Sequence, residues 1–237
     1  MFLKKFLIAV LASSMIINLA SADDIQSFRE AKRELPKIFK QLDNPQTLYC
    51  GCDITFPKKG YMVNLESCGY KVRKNEKRAK RIEAEHIVSA WEFAHQRQCW
   101  ITGGRKNCGQ NDNLFQTMEG DLHNLYPAVG EINGDRSNFG FAKVVHGPKN
   151  YGQCEMIIDR KRQLVNPPPR SRGIIARAYL YMQDRYHIKL SAQQQSLFNE
   201  WNKAYKATPN ECKRNKLITK IQGNDNPFVT AQCKRIK

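Results

Sequence analysis

The sequence predicts a mixed α+β domain with a helical C-terminal third, stabilised by disulfides. Three observations support this fold class. Residues 49–72 are rich in Cys, Gly and Pro and contain short β-like runs. Residues 174–223 instead carry helix caps and apolar residues at helical spacing. Eight cysteines, an even number, follow an N-terminal leader of the kind found on exported proteins.

The leader, residues 1–22, is predicted to be a secretory signal peptide. It begins with two lysines, continues with an apolar run over 6–19 and ends in the small-residue cleavage site Ala-Ser-Ala. The apolar run is short for a bilayer span, which favours cleavage over an uncleaved anchor. Residues 23–237 then form one mature domain in the periplasm or outside the cell, with no membrane anchor.

The charge of the chain predicts a polyanionic partner. The formal net charge is +17, and removing the two leader lysines leaves +15 on the mature domain. Such an excess attracts polyanions. Nucleic acid is the first candidate, and an anionic membrane surface or an acidic glycan is the second.

All the cysteines lie in the mature domain, which predicts up to four disulfides. The alternative is a zinc site, but no Cys-x2-Cys pair occurs and no His has zinc-finger spacing. Pairing does not follow from the sequence, although Cys99 and Cys108 are close enough to close a short loop. The eight residues are Cys50, Cys52, Cys68, Cys99, Cys108, Cys154, Cys212 and Cys233.

The mature chain starts with a predicted helix over residues 24–42. Pro36 is expected to bend or split this helix. Its candidate core residues are Ile25, Phe28, Leu35 and Ile38. Residues 49–72 follow as irregular structure with two or three short strands.

A strongly basic segment, residues 71–81, comes next. It is either a solvated face or a surface that binds phosphates. We predict that its cations contact nucleic acid together with Arg170 and Arg172 further along the chain. The seven cations of the segment are Lys71, Arg73, Lys74, Lys77, Arg78, Lys80 and Arg81.

The middle of the chain is predicted to be a long loop followed by a turn and a helix. Residues 98–121 contain Gly103-Gly104, two cysteines and several Asn and Asp, a composition typical of a functional loop. Residues 122–141 resemble a turn that leads into a helix, with Pro127 in its first turn.

The C-terminal third predicts three helices. The first covers 174–186 after a stiff Pro-rich connection, and the second starts at Ser191, a favourable N-cap. The third starts at Thr208, where Glu211 three residues on predicts a capping box, and ends at Gly223.

Two carboxylates and an imidazole follow the basic segment directly, in the stretch RIEAEHIVSAW (81–91). A surface that binds polyanions gains from carboxylates only if a cation lies between carboxylate and phosphate. Glu85 is the best candidate for such a cation ligand, and His86 has the pKa range of a general base. Glu83 either supports the metal ligands without touching the cation or forms an ion pair with the basic segment.

Adjacent side chains of a strand point to opposite faces. Glu85 and His86 can therefore serve one phosphate only at the edge or end of their strand.

Several blocks of the chain, in the same order, resemble the bacterial endonuclease I family of periplasmic and secreted nucleases. The likeness covers most of the mature domain, and its one visible departure is Ser89, where many members have Pro. The blocks are EAEHIVSAW (83–91), HQRQCW (95–100), GGRKNC (103–108), HNLYPAVGEINGDRSNFGF (123–141), GPKNYGQCEM (147–156), PPPRSRGIIARAYLYM (167–182) and LFNEWNKAY (197–205).

The resemblance implies a ββα-metal (His-Me finger) active site inside a larger α+β domain. Glu85 matches the metal-ligand Glu and His86 the general base. Asn133 matches the Asn that completes the metal site. Arg105 matches an Arg that binds the scissile or product phosphate. Two supporting positions are implied as well, Glu119 in the active site and Asn124 as a brace for the segment that carries His86.

Other polar residues leave alternatives open. Arg136 shares a helix face with Asn133, so it contacts either phosphate or a structural carboxylate. His123 is either a buried brace or part of the site. The remaining histidines, His95, His146 and His187, are assigned to the surface or to satisfied structural positions.

The combined expectation is a monomeric endonuclease that uses one Mg²⁺, which Mn²⁺ or Ca²⁺ can replace in binding. It would hydrolyse double- and single-stranded DNA with little sequence preference and leave 5′-phosphate ends, with RNA as a further candidate substrate. Two other classes stay open: a basic exported protein that binds without catalysis, and a metal-independent ribonuclease. Sensitivity to EDTA and cleavage of DNA distinguish the three.

Overall fold

A computed structural model describes residues 27–58, 60–143 and 146–234 of the chain. The predicted signal peptide and Ile25 lie outside these residues. Among the described helices, none has the length and apolar character needed to cross a membrane.

The first helix, α1 (Phe28–Phe39), begins at Ser27, whose hydroxyl accepts a hydrogen bond from the backbone of Glu30. The helix continues through Pro36, so the predicted split is wrong. Proline removes one backbone donor from a helix. Burial of one face offsets that loss, because α1 packs against α5, α9 and β4 with Leu35 and Ile38 fully buried.

The cysteine-rich segment confirms the predicted short strands. Strands β1 (Asp53–Thr55) and β2 (Met62–Asn64) pair antiparallel, followed by a 3-10 turn (Glu66–Cys68) and the short helix α2 (Glu76–Ala79).

A ββα unit forms the centre of the fold. Strand β3 (Ile82–His86) pairs antiparallel with β4 (Leu125–Val129), and α6 (Gly130–Arg136) begins directly after β4. Pro127 lies inside β4 opposite Ala84, so its assignment to a helix turn is wrong. A proline is tolerated there because the sheet has only two strands, and the Pro127 carbonyl still accepts a hydrogen bond from Leu48.

Between β3 and β4 the chain is helical, so the predicted long loop is wrong. The helices are α3 (Ala90–Ala94), α4 (Gln98–Asn111) and α5 (Asn113–Gly120). Contacts between side chains of this segment stabilise them: Cys99 and Cys108 form a disulfide, and Asp112 caps α5 while its carboxylate binds Arg97. Glycine still has its expected effect at Gly104, where φ is 65° and α4 is broken by a kink.

The remainder is a small sheet followed by helices. Strands β5 (Gly140–Phe141), β6 (Ile157–Asp159) and β7 (Leu164–Asn166) are ordered β5-β7-β6, with β5 and β7 parallel. The helices are α7 (Pro169–Tyr186), α8 (Ala192–Ala204), α9 (Pro209–Gln222) and α10 (Pro227–Cys233).

Of the three C-terminal capping predictions, two are confirmed and the third, the Thr208 capping box, is half right. Ser191 forms a full capping box, Thr208 caps α9, and Gly223 ends α9 in the left-handed conformation. Glu211 does not complete the second box, because its carboxylate binds the buried Arg177 guanidinium at 2.6 Å through both oxygens.

All eight cysteines are paired, which confirms the disulfide prediction and the short Cys99–Cys108 loop. The described elements together form a mixed α+β domain with one hydrophobic core. Helices α1 and α6, strand β4 and the C-terminal helices contribute to that core. The other pairs are Cys50–Cys154, Cys52–Cys68 and Cys212–Cys233.

Candidate active site

A cleft of about 690 Å³ lies beside the ββα unit, between β3, α6 and the helices that follow β3. It brings together four of the residues that the sequence assigned to catalysis or metal binding. These are Glu85, His86, Arg105 and Asn133. Glu119 and Asn124 do not line the cleft. Glu119 contacts His86 and Arg105, and Asn124 contacts the segment that follows His86.

His86 is the last residue of β3 and is buried against the Phe28 ring. Its Nε2 is 2.8 Å from the backbone carbonyl of Glu119. A carbonyl only accepts, so Nε2 carries the proton and Nδ1 carries the lone pair. Burial, aided by the charges of Arg105 and Arg136, lowers the pKa of His86 to about 3. The ring is therefore neutral, with Nδ1 as the basic atom.

Glu85 is buried, with an exposed fraction of 3%. Its Oε1 accepts hydrogen bonds from the Tyr49 hydroxyl at 2.5 Å and from Arg136 Nη1 at 3.2 Å. Its Oε2 has no hydrogen-bond partner within the described part of the chain. Burial raises the pKa of Glu85 to about 7, against the opposing effects of Arg136 and Tyr49, and the nearby charge of Glu83 adds to the rise.

The side chains of Glu83 and Glu85 share one face of β3, because they are two residues apart. Glu85 and His86 nevertheless both line the cleft, since they are the last two residues of the strand. The end of β3 is thus where the cleft contacts both faces of the strand.

Asn133 reaches the same cleft from α6. Its Nδ2 donates to Glu83 Oε2 at 2.8 Å, while no described residue donates to its Oδ1. Glu83 is in turn bound by the Arg78 guanidinium through two hydrogen bonds of 2.9 and 2.7 Å.

The donor set fits a hard cation. Glu85 Oε2 and Asn133 Oδ1 have no hydrogen-bond partner among the described residues, and both residues line one cleft. The buried Glu85 carboxylate also has the like-charged Glu83 nearby. In the described ranges, no group of three or more His, Cys, Asp or Glu is arranged so that it could hold a metal ion. A carboxylate and a carboxamide are sufficient for Mg²⁺, which keeps several waters and binds substrate phosphate.

Arg105 lies just after the kink of α4, and about half of its side chain is exposed. Its Nε donates to the carboxylate of Glu119 at 2.6 Å. Glu119 therefore contacts two residues of the cleft by different groups, His86 through its carbonyl and Arg105 through its carboxylate.

Asn124 is fully buried beside the segment that follows β3. Its side chain accepts from the Val88 backbone at 2.8 Å and donates to the Val88 carbonyl at 2.9 Å. These contacts hold the chain two residues beyond His86.

Arg136 is fully buried, which does not fit the predicted contact with DNA. Its guanidinium is buried and donates to Glu85 and to the carbonyls of His86 and Ile87. Of the two alternatives for Arg136, the structural carboxylate is the one observed.

Within the described chain, four cations of the basic segment are paired with carboxylates and three have no ion pair. Arg73 binds Asp135 through two hydrogen bonds, and Arg78 binds Glu83. Lys80 pairs with Glu76, and Arg81 reaches Glu83 at 3.4 Å. The exposed lysines without an ion pair in the described chain are Lys71, Lys74 and Lys77.

Arg170 and Arg172 lie at the start of α7 and do not line the cleft. Arg170 donates to Gln46, and Arg172 donates to Asn166 and to the Tyr205 hydroxyl.

Of the other histidines, His123 is the buried one, and its Nε2 bonds the carbonyl of Asn224. It does not line the cleft, so its contacts are those of a brace. His95 stacks on Trp91, while His146 and His187 are exposed.

Two residues of the site carry no sequence signal. Tyr49 binds Glu85 from 36 residues earlier in the chain, and Phe28 packs on His86 from α1. Only tertiary packing brings Phe28 to the cleft and Tyr49 to the Glu85 carboxylate.

Fold and site together define a class: a disulfide-bonded α+β protein whose ββα unit presents a neutral histidine, a buried carboxylate and a carboxamide to a cleft on a basic surface. A neutral base beside two hard oxygen ligands is a set of groups that can serve in the hydrolysis of a phosphate ester.

Comparison with known proteins gives the family. The sequence model of the Endonuclease I family matches residues 27–233, and the chain belongs to that family. It is 53% identical to an extracellular deoxyribonuclease of Aeromonas hydrophila, over 90% of this chain and 92% of the relative. A periplasmic deoxyribonuclease of the same species is 52% identical over 90% and 89%. Endonuclease-1 of Buchnera aphidicola subsp. Baizongia pistaciae is 50% identical over 89% and 85%.

Proposed function

We propose that this protein is an exported endonuclease that hydrolyses DNA phosphodiester bonds with one Mg²⁺ in a His-Me finger site, and that it acts as a monomer. The observation that carries the proposal is the state of His86, neutral and with Nε2 held by the Glu119 carbonyl, in the cleft that also contains Glu85 and Asn133. The names of the relatives, extracellular and periplasmic deoxyribonucleases, support both the substrate and the export.

The chemistry assigns one task to each residue. His86 Nδ1 accepts a proton from the attacking water, since the other ring nitrogen is already protonated. Glu85 and Asn133 would hold the cation through their partner-free oxygens, and Arg105 would bind the phosphate. A bound Mg²⁺ supplies positive charge to the phosphoryl oxygens and the leaving 3′ oxygen. A bond from the water oxygen to phosphorus replaces the bond to the 3′ oxygen, which leaves and takes up a proton from solvent, so the phosphate stays on the 5′ side.

Low sequence preference follows from the contacts available. Exposed lysines of the basic segment and Arg105 bind backbone phosphate, and phosphate contacts do not read bases. Single strands and RNA carry the same phosphates, so they are further proposed substrates.

A plasmid-nicking assay tests the function. We expect Mg²⁺-dependent nicking that EDTA abolishes, and a loss of about 100-fold or more in His86→Ala, the range typical of a general base. His146→Ala, an exposed histidine outside the cleft, is the matched control and should nick at the wild-type rate.

DNA affinity, measured by fluorescence anisotropy, should be unchanged in His86→Ala. Binding without nicking by the wild-type protein would indicate the non-catalytic alternative. RNA cleavage that persists in EDTA, without DNA cleavage, would indicate the metal-independent ribonuclease.

A further inference from the structure

Glu83 lies between the basic segment and the proposed metal site. Its carboxylate accepts two hydrogen bonds from Arg78 and one from Asn133 Nδ2 at 2.8 Å. Arg81 reaches it only at 3.4 Å. The side chain is mostly buried, with 23% exposed.

This contact determines which way the Asn133 amide points. A carboxamide has a donor end and an acceptor end, whereas a carboxylate only accepts. The Glu83 carboxylate therefore binds the Nδ2 end and excludes the reverse orientation, in which two oxygens would meet. Asn133 Oδ1, the atom that suits a hard cation, is thereby turned away from Glu83.

The helix α6 leaves room for this arrangement by means of two glycines. A Cβ at Gly134 would lie 2.0 Å from Arg78 Nη1, and a Cβ at Gly130 would lie 2.5 Å from the Arg78 carbonyl. Glycine is unfavourable inside a helix, so close approach of Arg78 is a reason for its presence at these positions.

We infer that Arg78 and Glu83 form a positioning pair that holds the Asn133 carboxamide with its oxygen toward the metal site. The inference rests on the proposed function. It also gives Arg78 a role other than the DNA contact that its place in the basic segment predicts. Fixing a ligand through its second hydrogen-bonding group is a general way to raise metal affinity.

The test is Mn²⁺ binding, measured by titration calorimetry on the whole mature protein without DNA. We compare the wild type with Glu83→Ala, Asn133→Ala and the double variant. Glu83→Ala should weaken Mn²⁺ binding about 10- to 100-fold. In the double variant the two losses should not multiply, because Glu83 acts only through Asn133.

Losses that multiply would overturn the inference, since Glu83 would then act on the cation directly. An unchanged Mn²⁺ affinity in Glu83→Ala would overturn it as well. Glu76→Ala, which removes an exposed carboxylate from the same basic segment, is the matched control and should leave Mn²⁺ affinity unchanged.

Two checks keep the result interpretable. If Glu83→Ala does not fold, Glu83→Gln replaces it, and Asn133→Ala/Glu83→Gln completes the cycle. If the wild type binds no Mn²⁺ and EDTA does not affect nicking, the proposed function fails. If the wild type binds Mn²⁺ and nicks DNA but the cycle is additive, only the positioning role fails.

Discussion

At the residue scale, the site depends on which hydrogen-bonding group each side chain has left over. His86 has its Nε2 occupied by the Glu119 carbonyl, Glu85 has its Oε1 occupied by Tyr49 and Arg136, and Asn133 has its Nδ2 occupied by Glu83. Each residue therefore has one defined atom available for the reaction that we propose. Arg105 is similar, because Glu119 occupies only its Nε and the other guanidinium nitrogens can bind phosphate.

Arg105→Ala tests the phosphate contact. We expect kcat for plasmid nicking to fall about 100-fold or more, the usual cost of removing one group that stabilises developing negative charge. The free energy of unfolding should change by about 1 kcal/mol or less, because about half of the Arg105 side chain is exposed to solvent. Lys106→Ala removes the same charge one residue later and should retain nearly full kcat. Equal losses of kcat in the two variants would mean that Arg105 contributes only its positive charge and not a specific phosphate contact.

At the element scale, buried ion pairs join helices that are distant in sequence. Arg177 of α7 and Glu211 of α9 are both buried, and the guanidinium binds both carboxylate oxygens and the carbonyl of Tyr205. Asp135 instead joins α6 to segments outside the helices, since it binds Arg73, Tyr151 and Arg160. Ion pairs therefore add to apolar packing in holding α6, α7 and α9 in place.

Arg177→Met should lower the free energy of unfolding by about 3–5 kcal/mol, because it leaves the Glu211 carboxylate buried without a partner. Urea denaturation followed by circular dichroism measures the change. Arg177→Met/Glu211→Gln should recover part of the loss, since no charge is then stranded. Lys213 lies on α9 as well and forms an exposed pair with Asp43. Lys213→Ala breaks that pair and should cost about 1 kcal/mol or less. A similarly small cost for Arg177→Met would contradict the importance of the pair.

At the scale of the whole molecule, a buried polar network joins the segment before β4 to the C-terminal helices. Asp121 accepts hydrogen bonds from Tyr181, Tyr186 and Gln222, and the neighbouring His123 bonds the Asn224 carbonyl. Burial lowers the pKa of His123 to about 4, although Asp121 and Asp225 oppose the shift and Arg214 adds to it. His123 is therefore neutral in the folded protein.

This shift predicts a loss of stability in acid. Unfolded His123 has a pKa near 6.5, so the unfolded chain binds a proton that the folded chain excludes as the pH falls toward 4. The contribution is intact above pH 6.5 and declines below it. Between pH 7 and pH 4 the free energy of unfolding should fall by about 3 kcal/mol more in the wild type than in His123→Gln. If urea denaturation gave parallel pH profiles for the two proteins, His123 would not be the group that excludes a proton in the folded state.

Much of the local structure could be predicted from the sequence. The caps at Ser191 and Thr208, the end of α9 at Gly223 and the Cys99–Cys108 loop each depend on residues a few positions apart. Such contacts form within a single turn or loop, so the local pattern determines them. The resemblance in turn supplied Glu85, His86, Asn133 and Arg105, which the structure brings to one cleft.

Only the tertiary structure decided how these residues are held. The helices of 98–121 form in a Gly- and Asn-rich segment because α5 packs against α1 and buries Phe115 and Met118. Arg136 turns inward to Glu85 rather than outward to DNA, and Glu83 binds Asn133 rather than solvent. These partners are 50 or 51 residues apart in the chain, and packing of β3 against α6 selects them. The sequence by itself determined the chemistry that is present, whereas long-range packing decided which atom of each group is left free to use.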